Sequence, residues 1–323
     1  MRHALILAFT ALALPSFAQH GTCCTDAATS GGQLTLSPES MGQGSVYAGL
    51  RIDYATYEHI TDTELAEAAM DGEMLHAMDH TIMYSLDAAV GILDFVSAGL
   101  VIPYHRIEGY RDSHMMHGGM GGMGTPTPMV SKDYYPDGFG DASVWGHIRF
   151  LEGPFRIGAR LGLEIPTGER NERGAMGKKL TERHQPGSGS WDFFGGLAAG
   201  YAGDRWALQA ALSAKLNTRS ARGYEIGDSF RFAVAGGFGF MDAESPIVVT
   251  ATLDAWIEWH GRDRDRGHGL EDSSGWVTAV APGIRLEVKP VILQLAVPLQ
   301  LSNSVEMDPD QQWRAVLTVG VKF

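Results

Sequence analysis

The chain has 323 residues, of which 44% are hydrophobic, and its formal net charge is −13 at pH 7. This acidic balance argues against nucleic acid as a partner and is compatible with attracting cations. The mean hydropathy is −0.08, and no segment approaches the ~20 consecutive apolar residues of a membrane-spanning helix. A helical membrane protein is therefore excluded, whereas a membrane β-barrel is not, because its strands alternate apolar and polar residues.

The first 18 residues have the pattern of a secretory signal peptide. A short basic start precedes an apolar run over residues 4–14, and Ser16-Phe17-Ala18 carries small residues at the two positions that a signal peptidase reads. We expect cleavage after residue 18 and a periplasmic N-terminal segment over residues 19–45. The two cysteines, Cys23 and Cys24, are adjacent and cannot form a disulfide framework.

Strand periodicity recurs along the rest of the chain. Phe155, Ile157 and Ala159, for example, alternate with polar or small residues, which suits a strand with lipid on one face and water on the other. Segments of this kind are residues 46–57, 82–90, 95–110, 139–151, 155–165, 191–201, 205–217, 228–240, 247–259, 276–288, 291–301 and 313–323. They predict an all-β fold, a transmembrane antiparallel β-barrel of about 12 strands over residues 46–323.

The predicted connections alternate between short and long. The short ones are turns rich in Gly, Pro and Asp, at residues 91–94, 152–154, 202–204, 242–245 and 289–290. The long ones are polar stretches at residues 58–81, 111–137, 166–190, 218–227, 260–275 and 302–311. Short periplasmic turns and long extracellular loops are typical of outer-membrane barrels. We therefore expect contact with outer-membrane lipid, in the cell outer membrane of a Gram-negative bacterium.

The last predicted strand carries the pattern most clearly. Trp313, Leu317 and Phe323 share one face, and Arg314 and Lys322 lie on the other. A strand that ends on an aromatic residue suits an outer-membrane barrel, and deleting Phe323 is expected to lower the amount of assembled protein. The alternative interpretation of this segment alone is the terminal strand of a soluble β-sandwich.

Charged residues occupy the strand faces opposite the apolar bands. Because charges that face lipid are costly, we predict that they line the lumen. The predicted pore-lining residues are Arg149, Arg156, Arg160, Glu164, Lys215, Arg231, Asp254, Glu258, Arg285 and Glu287. A barrel of this size leaves room for a narrow polar pore or for a filled, salt-bridged interior. Pairing that makes the barrel rigid and a role in conduction both remain open.

Several short motifs occur in a fixed order in the second half of the chain. They are Gly140-Asp141-Ala142-Ser143, Gly162-Leu163-Glu164-Ile165-Pro166-Thr167-Gly168, Gln185-Pro186-Gly187-Ser188-Gly189-Ser190-Trp191-Asp192, Asn217-Thr218 and Gly223-Tyr224-Glu225-Ile226-Gly227-Asp228. The series, over residues 138–323, resembles the outer-membrane family named for phenol meta-cleavage pathway operons, which is distantly similar to fatty-acid channel barrels. The resemblance implies an outer-membrane barrel that passes a small molecule. It implies no catalytic residues and no particular substrate.

The first two long loops concentrate soft metal ligands. Nine of the 14 methionines fall between Met70 and Met129. Thioether sulfur suits Cu(I) or Ag(I), and imidazole binds Cu(II), Cu(I) and Zn(II). The candidate metal ligands are His76, Met78, His80, His114, Met115, Met116, His117, Met120 and Met123. The alternatives are a flexible Met/Gly-rich second loop and, in the first loop, a short amphipathic helix over residues 63–79.

Three functional hypotheses follow. The leading one is an outer-membrane channel for small molecules or ions, linked to copper or another soft metal, with no required cofactor. The second is a non-conducting barrel whose loops bind metal or a partner. The third is an outer-membrane enzyme, which the sequence disfavours. Ser143 and His147 lie ~13 Å apart along one strand, and no Gly-x-Ser-x-Gly motif is present. We predict no catalytic residues, and the oligomeric state is left open.

Overall fold

The structure is a computed structural model that describes residues 34–71, 76–116, 127–131, 134–174, 179–180, 182–241, 245–270, 273–305 and 310–323. The predicted signal peptide, Cys23, Cys24, His117, Met120 and Met123 lie outside these residues. Of His114, Met115 and Met116, only the backbone is described.

Twelve antiparallel strands form a closed barrel. They are β1 (Val46–Tyr57), β2 (His80–Leu93), β3 (Val96–Glu108), β4 (Ala142–Leu151), β5 (Phe155–Ile165), β6 (Asp192–Ala202), β7 (Trp206–Leu216), β8 (Ser229–Gly239), β9 (Ile247–His260), β10 (Gly275–Val288), β11 (Val291–Ala296, continued by Leu299–Asn303) and β12 (Gln311–Lys322). Each strand pairs with its neighbour along the chain, and β12 pairs with β1. The predicted fold class is confirmed, including the short turns at one end and the long loops at the other.

The outer surface of the wall is apolar. Leu161 on β5 is 75% exposed, whereas its neighbour Arg160 faces the lumen and is 1% exposed. Aromatic rings lie near both ends of the strands, as in Tyr54 beside Trp313 at the loop end and Tyr201 beside Trp206 at the turn end. An apolar band between two aromatic girdles is the surface that a transmembrane barrel presents to lipid. This surface agrees with the predicted location in the outer membrane of a Gram-negative bacterium.

The first long loop contains helix α1 (Asp62–Asp71), which is shorter than the predicted span of residues 63–79. Thr61 and Glu64 form a capping box: the amide of Glu64 donates to the hydroxyl of Thr61, and the amide of Thr61 donates to the carboxylate of Glu64 at 2.7 Å. The helix buries Leu65 and packs against the second loop. None of the helices in the described ranges has the length and apolarity needed to span a membrane.

Strand β11 departs from the predicted continuous strand 291–301. It breaks at Val297 and Pro298, because a proline has no N–H to donate to a ladder. Beyond the break, Leu299–Asn303 pairs with β10. Over the described part of the chain, no strand pairing joins Leu299–Asn303 to residues 311–315 of β12, which pair with β1. A seam therefore opens near the extracellular end of the wall; we call these two facing segments the β11–β12 seam.

Candidate functional site in the barrel lumen

The described chain begins inside the barrel. Residues 19–45 were predicted as a periplasmic segment, but the described part of that range runs through the turn-side half of the lumen. Thr35, Ser37 and Glu39 are 3%, 0% and 8% exposed. We call residues 34–44 the plug. Strand alternation could not reveal the plug, because it contains no strand and its contacts are distant in sequence.

The inner end of the plug is held by two polar side chains of the wall. The carboxylate of Asp254 accepts hydrogen bonds from the amide of Leu34 at 3.0 Å and the hydroxyl of Thr35 at 2.8 Å. The side-chain amide of Gln209 donates to the carbonyl of Thr35 at 3.3 Å. Leu36 packs against the small side chains of β6 and β7, Ala198 and Ala211.

The outer end of the plug is held near the periplasmic rim. Arg156 donates to the carboxylate of Glu39, and Arg149 lies 3.7 Å from the same carboxylate. Ser40 donates to the carbonyl of Asp94 at 2.7 Å in the first periplasmic turn. The plug is thus attached mainly through side chains, with one backbone hydrogen bond of 2.9 Å from the amide of Gly44 to the carbonyl of Gly91.

The ten predicted pore-lining residues all occupy lumen-facing positions of their strands. Arg160, Glu164, Lys215, Arg231, Asp254, Glu258 and Arg285 are buried, and Arg149, Arg156 and Glu287 are half-buried. Lys215 contacts Glu164 at 2.8 Å, and Arg231 contacts Glu258 at 2.7 Å. Arg285 contacts Glu287 at 3.0 Å, and the guanidinium of Arg160 lies 4.0 Å from the ring centre of Trp145. Paired charges therefore reinforce the wall, and Arg149, Arg156 and Asp254 hold the plug.

The extracellular loop between β5 and β6 folds into the opposite end of the lumen. Its residues His184, Gln185 and Ser188 are buried. We call residues 182–190 the constriction segment. The carboxylate of Asp141 accepts three hydrogen bonds of 2.7 Å, from the amide of Gly168 and from the amide and hydroxyl of Ser188. Asp141 and Ser188 belong to the motifs that carry the family resemblance, so these motifs build the anchor of this loop.

The constriction segment is also tied to the loop between β9 and β10. Arg183 donates to the carboxylate of Asp263 at 2.6 Å, and both residues are buried. Tyr224 donates to the same carboxylate at 2.7 Å. Asp263 is therefore the centre of a contact between three loops.

A chamber of about 170 Å³ lies against the constriction segment. Trp256 and Ala279, which line it on the other side, belong to an apolar cluster that packs against Leu34 of the plug. Its lining mixes apolar side chains, among them Met83, Trp256 and Val277, with polar ones that include His105, His184, His260 and Arg314. The chamber reaches the β11–β12 seam, because Pro298, Gln300 and Asn303 line it on one side of the seam and Gln311 and Arg314 on the other. A second cavity of about 370 Å³ lies at the periplasmic end beside Pro38 and Glu39 of the plug.

The two loops predicted to bind metal meet above the barrel. The short strand His76–Ala77 pairs with Arg111–Met116, which in turn pairs with Thr127–Val130. We call the pair Arg111–Met116 and Thr127–Val130 the Met/His hairpin. Within the described ranges, no group of three or more His, Cys, Asp or Glu side chains could hold a metal ion.

The first-loop candidates have other contacts. His80 Nε2 lies 3.0 Å from the carboxylate of Glu108, and Met78 is 1% exposed. His76 contacts Tyr110 and His184. His184 is a residue that the sequence analysis missed, because it lies more than a hundred positions away and carries no local signal. Burial, with a smaller effect of Asp112, raises the pKa of Tyr110 above its ordinary range.

No family model and no curated protein matches the sequence. The fold is similar to that of the COG4313 outer membrane channel from Pseudomonas putida F1, with 14% identity, a TM-score of 0.61, and 89% of this chain and 98% of that chain covered. The translocator domain of the autotransporter NalP from Neisseria meningitidis has 12% identity and a TM-score of 0.42 over 88% and 89% of the chains. The NanC porin has 8% identity and a TM-score of 0.41 over 85% and 98%. The likeness to the Pseudomonas channel shows that the two chains share a barrel fold.

Proposed function

We propose that the protein is an outer-membrane channel for small amphipathic molecules. The observation that carries this proposal is the chamber in the lumen, which combines an apolar lining with a few polar groups. Sites that bind small organic molecules usually have this composition. A barrel whose interior served only to make the wall rigid would not need an open space between the plug and the constriction segment.

The path through the wall would involve the plug and the seam. The plug separates the chamber from the periplasmic cavity through the contacts of Leu34, Thr35 and Leu36. The β11–β12 seam connects the chamber with the outer surface, where the side-chain amides of Gln300 and Asn303 reach Asp310 at 3.3 and 3.2 Å. A molecule with an apolar body could enter through this seam and leave toward the periplasm once the plug moves.

Conductance in planar bilayers tests this function. We expect low, intermittent conductance from the full chain and a larger, steadier conductance after removal of residues 34–43. Heat-modifiable migration on a gel would serve as the control for an intact barrel. A variant without these residues that folds and still conducts no ions would favour the non-conducting alternative.

The finer family assignment is part of the same proposal. The ordered motifs support membership of the phenol meta-cleavage family, because Asp141 and Ser188 from two of them form one structural unit. Conduction is favoured over catalysis because His147, the imidazole considered as a catalytic base, is not accessible to a substrate. It is 0% exposed, and its Nε2 lies 3.4 Å from the carbonyl of Pro38 in the plug. Replacing His147 in a conductance assay and in a hydrolase assay would separate the two functions.

A second proposed function is binding of Cu(I) or Ag(I) by the Met/His hairpin. The pairing of His76–Ala77 with Arg111–Met116 supports it, because it brings the two Met/His-rich loops side by side. Thioether ligands favour soft monovalent ions over Zn(II). Titration of Cu(I) should show weaker binding after Met115, Met116, Met120 and Met123 are changed to Leu. Met241→Leu, at the periplasmic end, is the matched control, and equal affinity in all proteins would contradict the proposal.

A further inference from the structure

Three buried side chains from separate extracellular segments converge beneath the Met/His hairpin. They are His76, Tyr110 and His184, with exposed fractions of 7%, 1% and 3%. The hydroxyl oxygen of Tyr110 lies 3.2 Å from Nδ1 of His76 and 3.5 Å from Nδ1 of His184. The centres of the two imidazole rings are 4.7 Å apart. Two imidazole nitrogens and one phenol oxygen therefore share a small volume.

These separations match those between ligand atoms around one metal ion. Metal–nitrogen and metal–oxygen bonds of about 2.0–2.1 Å in a tetrahedral site place neighbouring ligand atoms about 3.3 Å apart. The two distances from the Tyr110 hydroxyl lie on either side of this value. The same bond lengths place two imidazole centres on one ion about 5 Å apart, close to the observed separation.

The backbone holds each of the three residues in place. Tyr110 forms a bridge with Tyr134 through two backbone hydrogen bonds of 3.1 and 3.0 Å. His76 pairs with Asp112. His184 ends the 3-10 helix Glu182–His184, which the pair between Arg183 and Asp263 ties to a further loop. A site made of fixed ligands loses little freedom when an ion binds.

We propose that His76, Tyr110 and His184 form a binding site for a divalent transition-metal ion, with Cu²⁺ bound more tightly than Zn²⁺. Imidazole nitrogen and phenol oxygen are harder donors than thioether sulfur, and the affinity of such a donor set rises from Zn²⁺ to Cu²⁺. Water completes the coordination. This site differs from the Cu(I) site proposed for the Met/His hairpin in its residues and in the oxidation state that it binds, so either can exist without the other.

A bound ion would connect the base of the Met/His hairpin to the constriction segment. Because Tyr110 precedes the hairpin and His184 lies in the constriction segment, the ion would hold the two together above the chamber. An ion that binds only the folded arrangement stabilises it by mass action. Cu²⁺ should therefore slow proteolysis of the loop over residues 166–190.

The test is a Cu²⁺ titration of the purified full chain in which His114 and His117 are replaced by Ala, so that the second long loop contributes no imidazole. Paramagnetic resonance counts bound Cu²⁺ and reports nitrogen ligands, and calorimetry gives the affinity. His184→Gln, which keeps a hydrogen-bonding side chain, and His76→Ala should each remove the same single equivalent. Tyr110→Phe should weaken its binding about tenfold or more, since loss of even a hydrogen-bonding partner of a metal ligand costs roughly 10–100-fold in affinity.

The controls and the double variant decide the outcome. His80→Ala, on the same rim, and His268→Ala, exposed on another loop, should leave the equivalent intact. The double variant of His76 and His184 should lose one ion in total, because both residues bind the same ion. An unchanged count in folded His184→Gln protein, or losses that add to two ions in the double variant, would overturn the proposal.

Discussion

The two closures of the lumen are built in different ways. The plug is attached by wall side chains, chiefly Asp254 and Gln209 at one end and Arg156 at the other. The constriction segment is attached by buried carboxylates, and that of Asp141 alone accepts three hydrogen bonds from the loop. Hydrogen bonds to a charged acceptor contribute ~1.5–3 kcal/mol each. Asp141 accepts three of them from the loop, whereas Asp254 accepts two from the plug, so the constriction segment should be the firmer of the two. The plug is the better candidate for a part that moves.

The largest effect is expected from Asp141→Ala. It removes three hydrogen bonds to a buried charged acceptor, and we expect the loop over residues 166–190 to be destabilised by about 5 kcal/mol. Limited proteolysis should cut this loop in the variant and not in the parent protein. Asp228→Ala is the control, because Asp228 is exposed and accepts a bond from the amide of Asn217. An equally resistant loop would show that the constriction segment does not depend on this carboxylate.

A smaller effect is expected from Asp254→Ala. It removes the two bonds to Leu34 and Thr35, worth about 3 kcal/mol together, which corresponds to a ~150-fold larger fraction of released plug. Labelling of a cysteine placed at Leu34 should become faster, and open events in planar bilayers should become more frequent. Thr250→Ala, a lumen-facing change on the same strand, is the control. Identical labelling rates in Asp254→Ala and parent protein would mean that the plug is held mainly by contacts other than those with Asp254.

Substitutions at the β11–β12 seam should change the stability of the barrel still less. Gln300→Ala with Asn303→Ala removes exposed contacts to Asp310, each worth less than about 1 kcal/mol. The barrel should therefore unfold at almost the parent temperature, while an apolar fluorescent probe enters liposomes containing the protein faster. Gln312→Ala, an exposed residue of β12 outside these contacts, is the control. Unaltered probe entry would indicate that the seam is not a route.

The smallest effect concerns Tyr134, which donates to the carboxylate of Glu172 at 2.7 Å in the extracellular loops. Burial, followed by this hydrogen bond, raises the pKa of Tyr134 to about 12. A group with a raised pKa in the folded state stabilises it fully below the unfolded pKa of about 10. That contribution is lost as the pH rises from about 10 to about 12. The increase in phenolate absorbance that Tyr134 contributes in this pH range should be absent from Tyr134→Phe protein. Tyr135→Phe protein should retain it.

The alternation of residues along each strand was enough to predict the wall. Successive side chains of a strand point to opposite faces, so the lipid-facing and lumen-facing residues of β5, for example, follow from local order alone. The cost of placing a charge in lipid then pointed to charged positions on the lumen side such as Arg160 and Glu258, but the predicted set omitted others that are equally buried, among them Arg51, Asp53 and Asp87. The break in β11 was missed because the predicted strand was carried through Pro298, although proline is a recognised interruption of a ladder.

The contents of the lumen depended on the tertiary structure. Glu39 meets Arg156, and Thr35 meets Asp254, across separations of 117 and 219 positions. His76 likewise meets His184 only where two loops fold together. Sequence alone determined which residues face inward, because the pleat of a strand is local. Only the closed barrel decided which of them become partners, because those contacts depend on sheet closure and on the path of segments without strand periodicity.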